Sequence, residues 1–287
     1  MRRGWLSNPL AVGGWRWAAF VLVVACGPKA APPVTPPPVV RPPVEEAKIA
    51  FLDVGQGDCI ALRAGGRTVL IDSGPSADAG RRIVVPRLRE LGWEPVSLVL
   101  ISHPDRDHTA GLGEVMKRWP EAEIAASKQF AGAKDFDGFK VKWLATEGRF
   151  RLGSWTLDVV NPPLKEGAKD NDASMCLRFT DGKASAIFTG DAPIKTEDWL
   201  LAGHPWRADI LKAGHHGSRT STGVDLLAAT KPAWVVFSCG KGNPYGHPTP
   251  QALKRSKEAG AQVWRTDTQG EADFVSRGGR FVLESRP

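Results

Sequence analysis

The segment 102–108, with the sequence Ser-His-Pro-Asp-Arg-Asp-His, contains four side chains that can bind a metal ion. These candidate metal ligands are His103, Asp105, Asp107 and His108. Neutral imidazoles and ionised carboxylates are groups with which proteins bind divalent cations. The alternative is a charged, solvated turn that opens a helix, with Asp107 or Thr109 as the N-cap. The density of ligands in this short segment favours a metal site.

Other candidate ligands stand directly after apolar, strand-like runs, as segment 102–108 does after residues 97–101. They are Asp72, Asp191, His215 and His216. Because strand ends hold side chains rigidly, this shared placement predicts that all of them meet at one edge of the sheets. Neighbouring side chains diverge, so only one of the two adjacent histidines is expected to bind metal. His215 is the preferred ligand, which leaves His216 to bind a substrate oxygen or to orient a ligand.

The elements that must position these residues are short strands and helices in a mixed order. Apolar and alternating runs predict a closing hairpin and strands near 48–54, 59–63, 67–72, 97–101, 123–126, 141–144, 155–160, 174–180, 184–189, 208–212, 233–238 and 262–266. Helical periodicity predicts helices near 80–92, 109–119, 193–201 and 249–259, and another before residue 233. The simplest packing is an α+β fold, a four-layered αββα sandwich of two mixed β-sheets with outer helices.

The composition is that of an ordinary soluble protein. The chain has 287 residues, of which 42% are hydrophobic and 24% are charged, so it can bury a sizeable core. The net charge of +7 falls to +4 when Arg2, Arg3 and Arg16 near the N-terminus are left out. That excess permits contact with nucleic acid or an anionic surface but does not by itself predict it.

The N-terminus has the organisation of an export signal. Residues 1–25 combine a basic start with a short apolar run, which is typical of a signal peptide. Residues 23–27, Val-Val-Ala-Cys-Gly, resemble a bacterial lipobox, which implies lipidation of Cys26; the alternative is a plain signal peptide or anchor with an incidental cysteine. Residues 26–47 are rich in proline and predict an extended tether. We therefore expect an exported protein, lipid-anchored to a bacterial membrane on its periplasmic or extracellular face, with a folded domain over 48–287.

Together the motifs resemble the metallo-β-lactamase fold superfamily, and most closely its ComEC-type hydrolase domains. The matching segments are 51–58 (Phe-Leu-Asp-Val-Gly-Gln-Gly-Asp), 102–108, Asn171 with Ser174, Gly190-Asp191, 211–218 and 243–248. The resemblance covers about residues 48–285 and implies a metal-dependent hydrolase with one or two divalent metal ions, Zn²⁺ or Mn²⁺. It also implies the ligands of each ion: His103 and Asp105 for one, Asp107, His108 and His215 for the other, and Asp191 as a bridge between them.

Two departures from the superfamily pattern bear on the metal and on the substrate. Asp105 stands where the superfamily has a second histidine, and no histidine lies between His108 and His204. Asn171 and Ser174 stand roughly where the missing middle ligand would be expected, and we expect them to support the ligands. A carboxylate in place of an imidazole makes the site harder, which favours Mn²⁺ as an alternative to Zn²⁺. By the resemblance, it also favours phosphoesters over β-lactams.

The resemblance implies further roles for residues around the ligands. Asp72 would orient the metal-binding segment through hydrogen bonds. Lys212 and Ser218, beside and within the turn 214–218, would meet an anionic group of the substrate.

An acid is needed to protonate a leaving alkoxide, and the candidates are His216 and His247. The loop that carries His247 also contains Asn243 and Tyr245, which would help to place this second acid near the site. For His247 the alternative is a structural role in the loop before the helix that Thr249 begins.

The function predicted from these features is that of a metal-dependent hydrolase, a phosphodiesterase or DNase, tethered outside the cytoplasmic membrane. Its substrate would be a phosphoester such as DNA, its membrane contact would be the lipid anchor, and no protein partner can be inferred. The alternatives are another hydrolase of the superfamily, acting on an envelope phosphoester, a thioester or a β-lactam, and a non-catalytic envelope binding module.

Overall fold

Short strands in two sheets form the centre of the computed structural model, which describes residues 46–163 and 169–284. The strands are β1 (Lys48–Phe51), β2 (Ile60–Ala64), β3 (Arg67–Ile71), β4 (Val96–Ile101), β5 (Glu123–Ser127), β6 (Val141–Leu144), β7 (Glu147–Leu152), β8 (Trp155–Val160), β9 (Cys176–Thr180), β10 (Ser185–Phe188), β11 (Ile210–Lys212), β12 (Trp234–Phe237), β13 (Gln262–Arg265), β14 (Ala272–Arg277) and β15 (Arg280–Leu283). The α-helices are α1 (Ala77–Ala79), α2 (Val85–Glu90), α3 (Arg106–Thr109), α4 (Leu112–Arg118), α5 (Ile194–Gly203), α6 (Val224–Thr230), α7 (Pro250–Glu258) and α8 (Thr266–Gln269). A π-helical turn, Gly80–Val84, joins α1 to α2, and 3₁₀ turns span Lys128–Phe130, Lys134–Phe136, Asp170–Ala173 and Gly214–Gly217.

Each sheet combines parallel and antiparallel neighbours. The first sheet has the order β15-β14-β1-β2-β3-β4-β5-β6, and the second has the order β13-β12-β11-β10-β9-β8-β7. Strands β3 to β6 run parallel in the first sheet, as do β10 to β13 in the second. The carboxyl ends of parallel strands open at one edge of a sheet, where ligands commonly bind. The loops after β3 and β4 therefore share one edge, as do the loops after β10 and β11.

Apolar residues on both faces of the sheets explain why four layers form. Along β4, Leu98 and Leu100 pack into the core between the sheets, whereas Val99 and Ile101 pack under the outer helices. Because neighbouring side chains of a strand point to opposite faces, a continuous apolar run needs a covering layer on each side. Helices α2 and α4 cover the first sheet, and α5, α6 and α7 cover the second. The predicted αββα sandwich is confirmed.

Most predicted elements are present, and the differences have local causes. The helix predicted over 80–92 starts earlier, because Ser76 Oγ accepts a hydrogen bond from the backbone N–H of Ala79 at 3.0 Å and caps α1. The helix predicted over 109–119 is divided into α3 and α4. Strand β7 is missed because four of its six residues are charged or glycine; it forms by pairing with β8 at the edge of the second sheet.

The predicted signal peptide over 1–25, Cys26 and most of the predicted tether lie outside the described residues. The described chain begins just before β1, and Ala47 is already fully buried. Within the part of the chain that the structure describes, no helix has the length and apolarity needed to cross a membrane.

Candidate metal centre

Loops at the carboxyl ends of strands form the candidate metal centre. Asp72 follows β3, His103 follows β4, Asp191 follows β10, and His215 and His216 follow β11. The backbone φ angles of Asp72, His215 and His216 are 61°, 48° and 54°, in the left-handed region that residues other than glycine rarely adopt. Such strain persists only where the surrounding structure enforces it, and it is concentrated at functional sites.

The imidazoles and carboxylates of these loops converge on one buried region. His108 Nε2 lies 3.4 Å from Asp191 Oδ1, and His103 Nε2 lies 3.9 Å from Asp191 Oδ2. His216 Nε2 lies 3.2 Å from Asp107 Oδ2 and 3.5 Å from Asp191 Oδ2. Among the described residues, the groups of three side chains that could hold an ion are His103–His108–Asp191, Asp107–His108–His216, Asp58–Asp191–His216 and Asp58–Asp72–His108. Asp191 lies within 4 Å of four imidazoles, those of His103, His108, His215 and His216, and so lies at the centre of this region.

Several buried atoms of the region have no hydrogen-bond partner among the described residues, including His103 Nε2, His108 Nε2 and Asp191 Oδ1. Burying a polar atom without a partner is costly, and such atoms are rare in native proteins. Lone pairs of two imidazoles and a carboxylate that share one buried region match the donor set of a divalent cation site. The residues present therefore fit a metal site.

Hydrogen bonds from neighbouring residues hold these candidate ligands. Asp72 Oδ2 is 2.7 Å from His108 Nδ1, so Nδ1 donates to Asp72 and Nε2 faces the buried region, where a cation would bind. The two oxygens of Asp72 also accept hydrogen bonds from the backbone N–H (2.7 Å) and the hydroxyl (2.8 Å) of Ser102. Ser174 Oγ accepts a hydrogen bond from the backbone N–H of Asp191 at 3.2 Å. Asp72 and Ser174 thus orient candidate ligands through hydrogen bonds.

The structure distinguishes the two adjacent histidines that sequence reasoning could not separate with certainty. His216 Nδ1 is 3.0 Å from the carbonyl oxygen of Ser238, which can only accept, so this nitrogen donates, and Nε2 is directed at Asp107 and Asp191. The side chain of His215 is 34% exposed, and its Nε2 lies 3.5 Å from Asp191 Oδ2. The potential metal-binding groups of the described residues include His216 and not His215. The left-handed turn at both residues brings the second histidine inward, whereas the sequence favours the first.

Lys212 and Asp58 form a buried ion pair beneath the centre. The ammonium of Lys212 is fully buried, contacts Asp58 Oδ2, and donates a hydrogen bond to the carbonyl oxygen of Gly190 at 3.3 Å. Asp58 Oδ1 lies 3.4 Å from His216 Nδ1. The sequence predicts that Lys212 meets a substrate anion, but complete burial against Asp58 leaves it facing protein instead.

Asp58 is the member of the region that sequence reasoning missed. It is 1% exposed and ends the Gly-Gln-Gly-Asp turn after β1. Its backbone N–H donates to the carbonyl oxygen of Asp107 at 3.1 Å, which ties this turn to the metal-binding segment. A side chain on the preceding Gly57 would meet that same carbonyl oxygen at 2.3 Å, so only glycine permits this approach. The available signal was the place of Asp58 in segment 51–58, one of the segments that carry the resemblance.

Three other predicted residues lie around the centre. Asp105 Oδ2 is 3.4 Å from His103 Nε2, and its side chain is 46% exposed, so it occupies the open side. Asn171 is half-buried, and its carbonyl oxygen accepts a hydrogen bond from the backbone N–H of Ser174 at 3.1 Å. Ser218 is buried, and its hydroxyl is 2.9 Å from that of Thr220, within its own loop.

Neighbouring groups of opposite charge shift the pKa values of Asp191 and His216 more than burial does. Burial favours the neutral form of Asp191, but His216, His108 and His103 hold its pKa well below the usual range. Burial likewise disfavours the charged form of His216, but Asp191 and Asp58 raise its pKa to about 9. Each group is thus stabilised in its charged form by its neighbours, as expected for a cluster of coupled ionisable groups.

His247 lies at the rim of the centre. Its ring centroid is 5.6 Å from that of His215 and 6.4 Å from that of His216. Burial and the positive charges of those two histidines lower the pKa of His247 to about 4. The neutral form of its ring is therefore favoured at neutral pH, and the acid role of His247 stays a prediction.

A family model identifies the chain from its sequence. Residues 52–240 match the model described as the metallo-β-lactamase superfamily. The chain belongs to this superfamily. Its members are generally hydrolases, and the fold implies the binding of divalent metal by the His/Asp cluster described above.

Relatives with known names are competence and recombination proteins. Competence protein ComA of Neisseria gonorrhoeae is 30% identical over 279 residues, which cover 96% of this chain and 38% of the relative. Recombination protein 2 of Haemophilus influenzae is 30% identical over 223 residues, 77% of this chain and 28% of the relative. ComE operon protein 3 of Bacillus subtilis is 26% identical over 256 residues, 80% of this chain and 33% of the relative. The chain thus spans about a third of the length of these relatives, and the resemblance predicted from its motifs is confirmed.

A solved structure shows the same fold. The metallo-β-lactamase fold protein YhfI of Bacillus subtilis superposes with a TM-score of 0.54 at 14% identity, over 84% of this chain and 100% of that protein. The similarity of the backbone agrees with the two mixed sheets and outer helices described above.

Proposed function

We propose that this protein is a metal-dependent phosphodiesterase that hydrolyses DNA outside the cytoplasmic membrane. The observation that carries the proposal is the carboxylate-rich set of donors around one buried region. The donors are His103, Asp105, Asp107, His108, Asp191 and His216. Carboxylates suit harder cations such as Mn²⁺ as well as Zn²⁺, and paired cations of this kind serve many phosphatases and nucleases. The names of the competence and recombination relatives support DNA as the substrate.

The residues around the centre would prepare it for a phosphodiester. A divalent cation held there would supply Lewis-acid stabilisation of the phosphoryl oxygens and a lowered pKa for the attacking water. Asp72 keeps a proton on His108 Nδ1, and the carbonyl of Ser238 keeps a proton on His216 Nδ1, so both Nε2 atoms are directed at Asp191, where a cation would bind. The partial exposure of Asp105 supports approach of the substrate from its side of the centre.

Hydrolysis by reconstituted protein tests the proposal. Metal-free protein loaded with Mn²⁺ or with Zn²⁺ is expected to cleave bis-p-nitrophenyl phosphate, single-stranded DNA and double-stranded DNA. Asp191→Asn removes the central donor and should lower the rate by about 100-fold or more. Asp198→Asn, at an exposed carboxylate on α5, is the matched control and should keep full activity. If all three phosphodiesters stay intact with both metals while nitrocefin is hydrolysed, the β-lactam alternative replaces this one.

The location outside the membrane rests on residues beyond the described part of the chain. The lipobox-like residues 23–27 support lipidation of Cys26. Cys26→Ser should abolish incorporation of a labelled fatty acid and move the protein from the membrane fraction to the soluble fraction. A variant that keeps both the label and the membrane fraction would contradict the lipid anchor.

A further inference from the structure

Tyr245 presents an open aromatic ring at the edge of the candidate metal centre. It is 67% exposed, the highest value among the large apolar side chains of the described residues. One face stacks on the ring of His247, with centroids 5.8 Å apart and planes inclined by 27°. His247 lies 5.6 Å from the ring of His215, whose Nε2 is 3.5 Å from Asp191 Oδ2. The rings of His247 and His215 thus lie between the ring of Tyr245 and the carboxylate of Asp191.

The loop that carries Tyr245 is held in place by side-chain hydrogen bonds. Asn243 Nδ2 donates to the carbonyl oxygens of Gly240 at 2.9 Å and His247 at 2.5 Å, and Asn243 Oδ1 accepts from the backbone N–H of His247 at 3.0 Å. The backbone N–H of Gly240 donates to Gln56 Oε1 at 3.1 Å, which fastens the loop to the turn that ends at Asp58. Because these hydrogen bonds already hold the loop, little conformational entropy is lost when a planar group stacks on the ring.

Exposed cations stand on the segments that surround the ring and the centre. Arg106 lies between two candidate ligands, Arg219 follows the 214–218 turn, and Lys241 lies in the tyrosine's own loop; all three are exposed. Proteins that bind single-stranded nucleic acid combine such cations for the backbone phosphates with aromatic rings for the bases. A base inside a duplex cannot reach a ring in this way without being unstacked.

We propose that Tyr245 is a stacking platform for a nucleobase of single-stranded nucleic acid, next to the phosphate that lies at the metal centre. This inference rests on the proposed function and names its preferred substrate class: a strand with unpaired bases, which should bind more tightly than a duplex or an isolated phosphodiester. The shared chemistry is the planar base, which single-stranded DNA and single-stranded RNA both supply.

Binding by metal-free protein tests the platform apart from catalysis. Fluorescence anisotropy would compare labelled oligothymidylate, oligouridylate and an abasic oligomer of the same length, with a chelator present so that no strand is cleaved. For the full-length chain, we expect the abasic strand to bind about 10-fold more weakly than oligothymidylate. Tyr245→Ala should lose that difference by weakening only the strands that carry bases, and Tyr245→Phe and Tyr245→Trp should retain it. The oligouridylate arm shows whether the platform accepts RNA as well as DNA.

Trp199→Ala supplies the control, since Trp199 is a partly exposed aromatic on α5 outside the metal-binding groups. It should bind all three oligomers as the unmodified chain does. Equal binding of the abasic strand and oligothymidylate by the unmodified chain would overturn the platform. So would a Tyr245→Ala variant that binds oligothymidylate unchanged. Neither result bears on the hydrolysis of bis-p-nitrophenyl phosphate, so the stacking proposal can be wrong while the proposed function is right.

Discussion

At the scale of single residues, the centre is defined by which atoms the neighbours hold in place. His108 and His216 each have one ring nitrogen fixed by an acceptor, Asp72 in the first case and the carbonyl of Ser238 in the second. Each ring therefore presents Nε2 to Asp191. Residues that never meet a substrate thus decide which nitrogen of each histidine is available.

Metal binding should separate His216 from His215. Because His216 Nε2 approaches both Asp107 and Asp191, His216→Ala is expected to weaken Zn²⁺ or Mn²⁺ binding by about 10-fold or more. His215→Ala removes a half-exposed ring and should leave most of the affinity. Isothermal titration of metal-free protein measures both variants. An equal loss of metal affinity in the two variants would mean that His215 is also a metal ligand, as the sequence predicts.

The buried pair of Asp58 and Lys212 leads to a stability prediction. Asp58→Asn leaves the ammonium of Lys212 without its carboxylate in a fully buried position, which should lower the free energy of unfolding by about 3–5 kcal/mol. The double variant Asp58→Asn/Lys212→Met removes the stranded charge and should recover part of that loss.

Urea unfolding in the presence of a chelator measures the effect without any contribution from bound metal. Glu114→Gln breaks the exposed pair with Lys117 and should change the free energy of unfolding by less than about 1 kcal/mol. A double variant less stable than Asp58→Asn alone would contradict the account of the pair.

At the scale of elements, two helices hold the loop that follows the paired histidines. Glu197 of α5 accepts hydrogen bonds from the backbone N–H groups of Thr222 (2.6 Å) and Gly223 (2.7 Å), at the start of α6. Arg255 of α7 donates to the carbonyl oxygens of Ser221 (2.7 Å) and Thr222 (3.0 Å). The position of the 214–218 turn thus depends on helices of the outer layer.

Glu197 should make stability depend on pH. Burial raises its pKa to about 7, from a usual value of 4.5, despite the two backbone N–H groups and Arg255. Because the folded state binds this proton more tightly, the stability that the proton contributes is complete below the usual value and is lost as the pH rises through the raised one. From about pH 5 to about pH 8, metal-free protein should lose about 2 kcal/mol relative to Glu197→Gln.

Urea unfolding at several pH values checks this slope. Glu114→Gln alters a carboxylate that is not among the groups acting on Glu197 and should follow the pH profile of the unmodified chain. If the free energy of unfolding of Glu197→Gln changes with pH as that of the unmodified chain does, the carboxyl of Glu197 does not cause the pH dependence.

Sequence reasoning succeeds where a local pattern decides the structure. Strands such as β8 and the apolar run before His103 are recognisable because burial on one or both faces leaves a period in the sequence. Sequence reasoning fails where contacts between residues far apart in the chain decide the position of a side chain. The pairing of Lys212 with Asp58 joins residues far apart in the chain, and the choice between His215 and His216 depends on a left-handed turn. Nothing in the local sequence marks a buried lysine or such a turn.

At the scale of the whole molecule, the centre lies where the two sheets contribute the ends of their parallel strands. The first sheet supplies Asp72, His103 and the 102–108 segment, and the second supplies Asp191 and His216. A ligand that binds all of these groups at once connects both sheets, and only the folded chain brings the groups together. Binding should therefore stabilise the fold as a whole.

Metal removal and replacement test this coupling. An ion at 100 times its dissociation constant should add about 2.7 kcal/mol to the free energy of unfolding, which for a domain of this size corresponds to a rise in Tm of about 5–10 °C. Thermal unfolding of chelator-treated protein, titrated with Mn²⁺ or Zn²⁺, measures the rise, and its saturation point distinguishes one bound ion from two. Asp191→Asn should abolish the rise because it removes the donor shared by both sides of the centre, whereas Glu114→Gln should keep it. A Tm that neither cation changes in the unmodified chain would mean that the convergent imidazoles and carboxylates do not hold a metal ion.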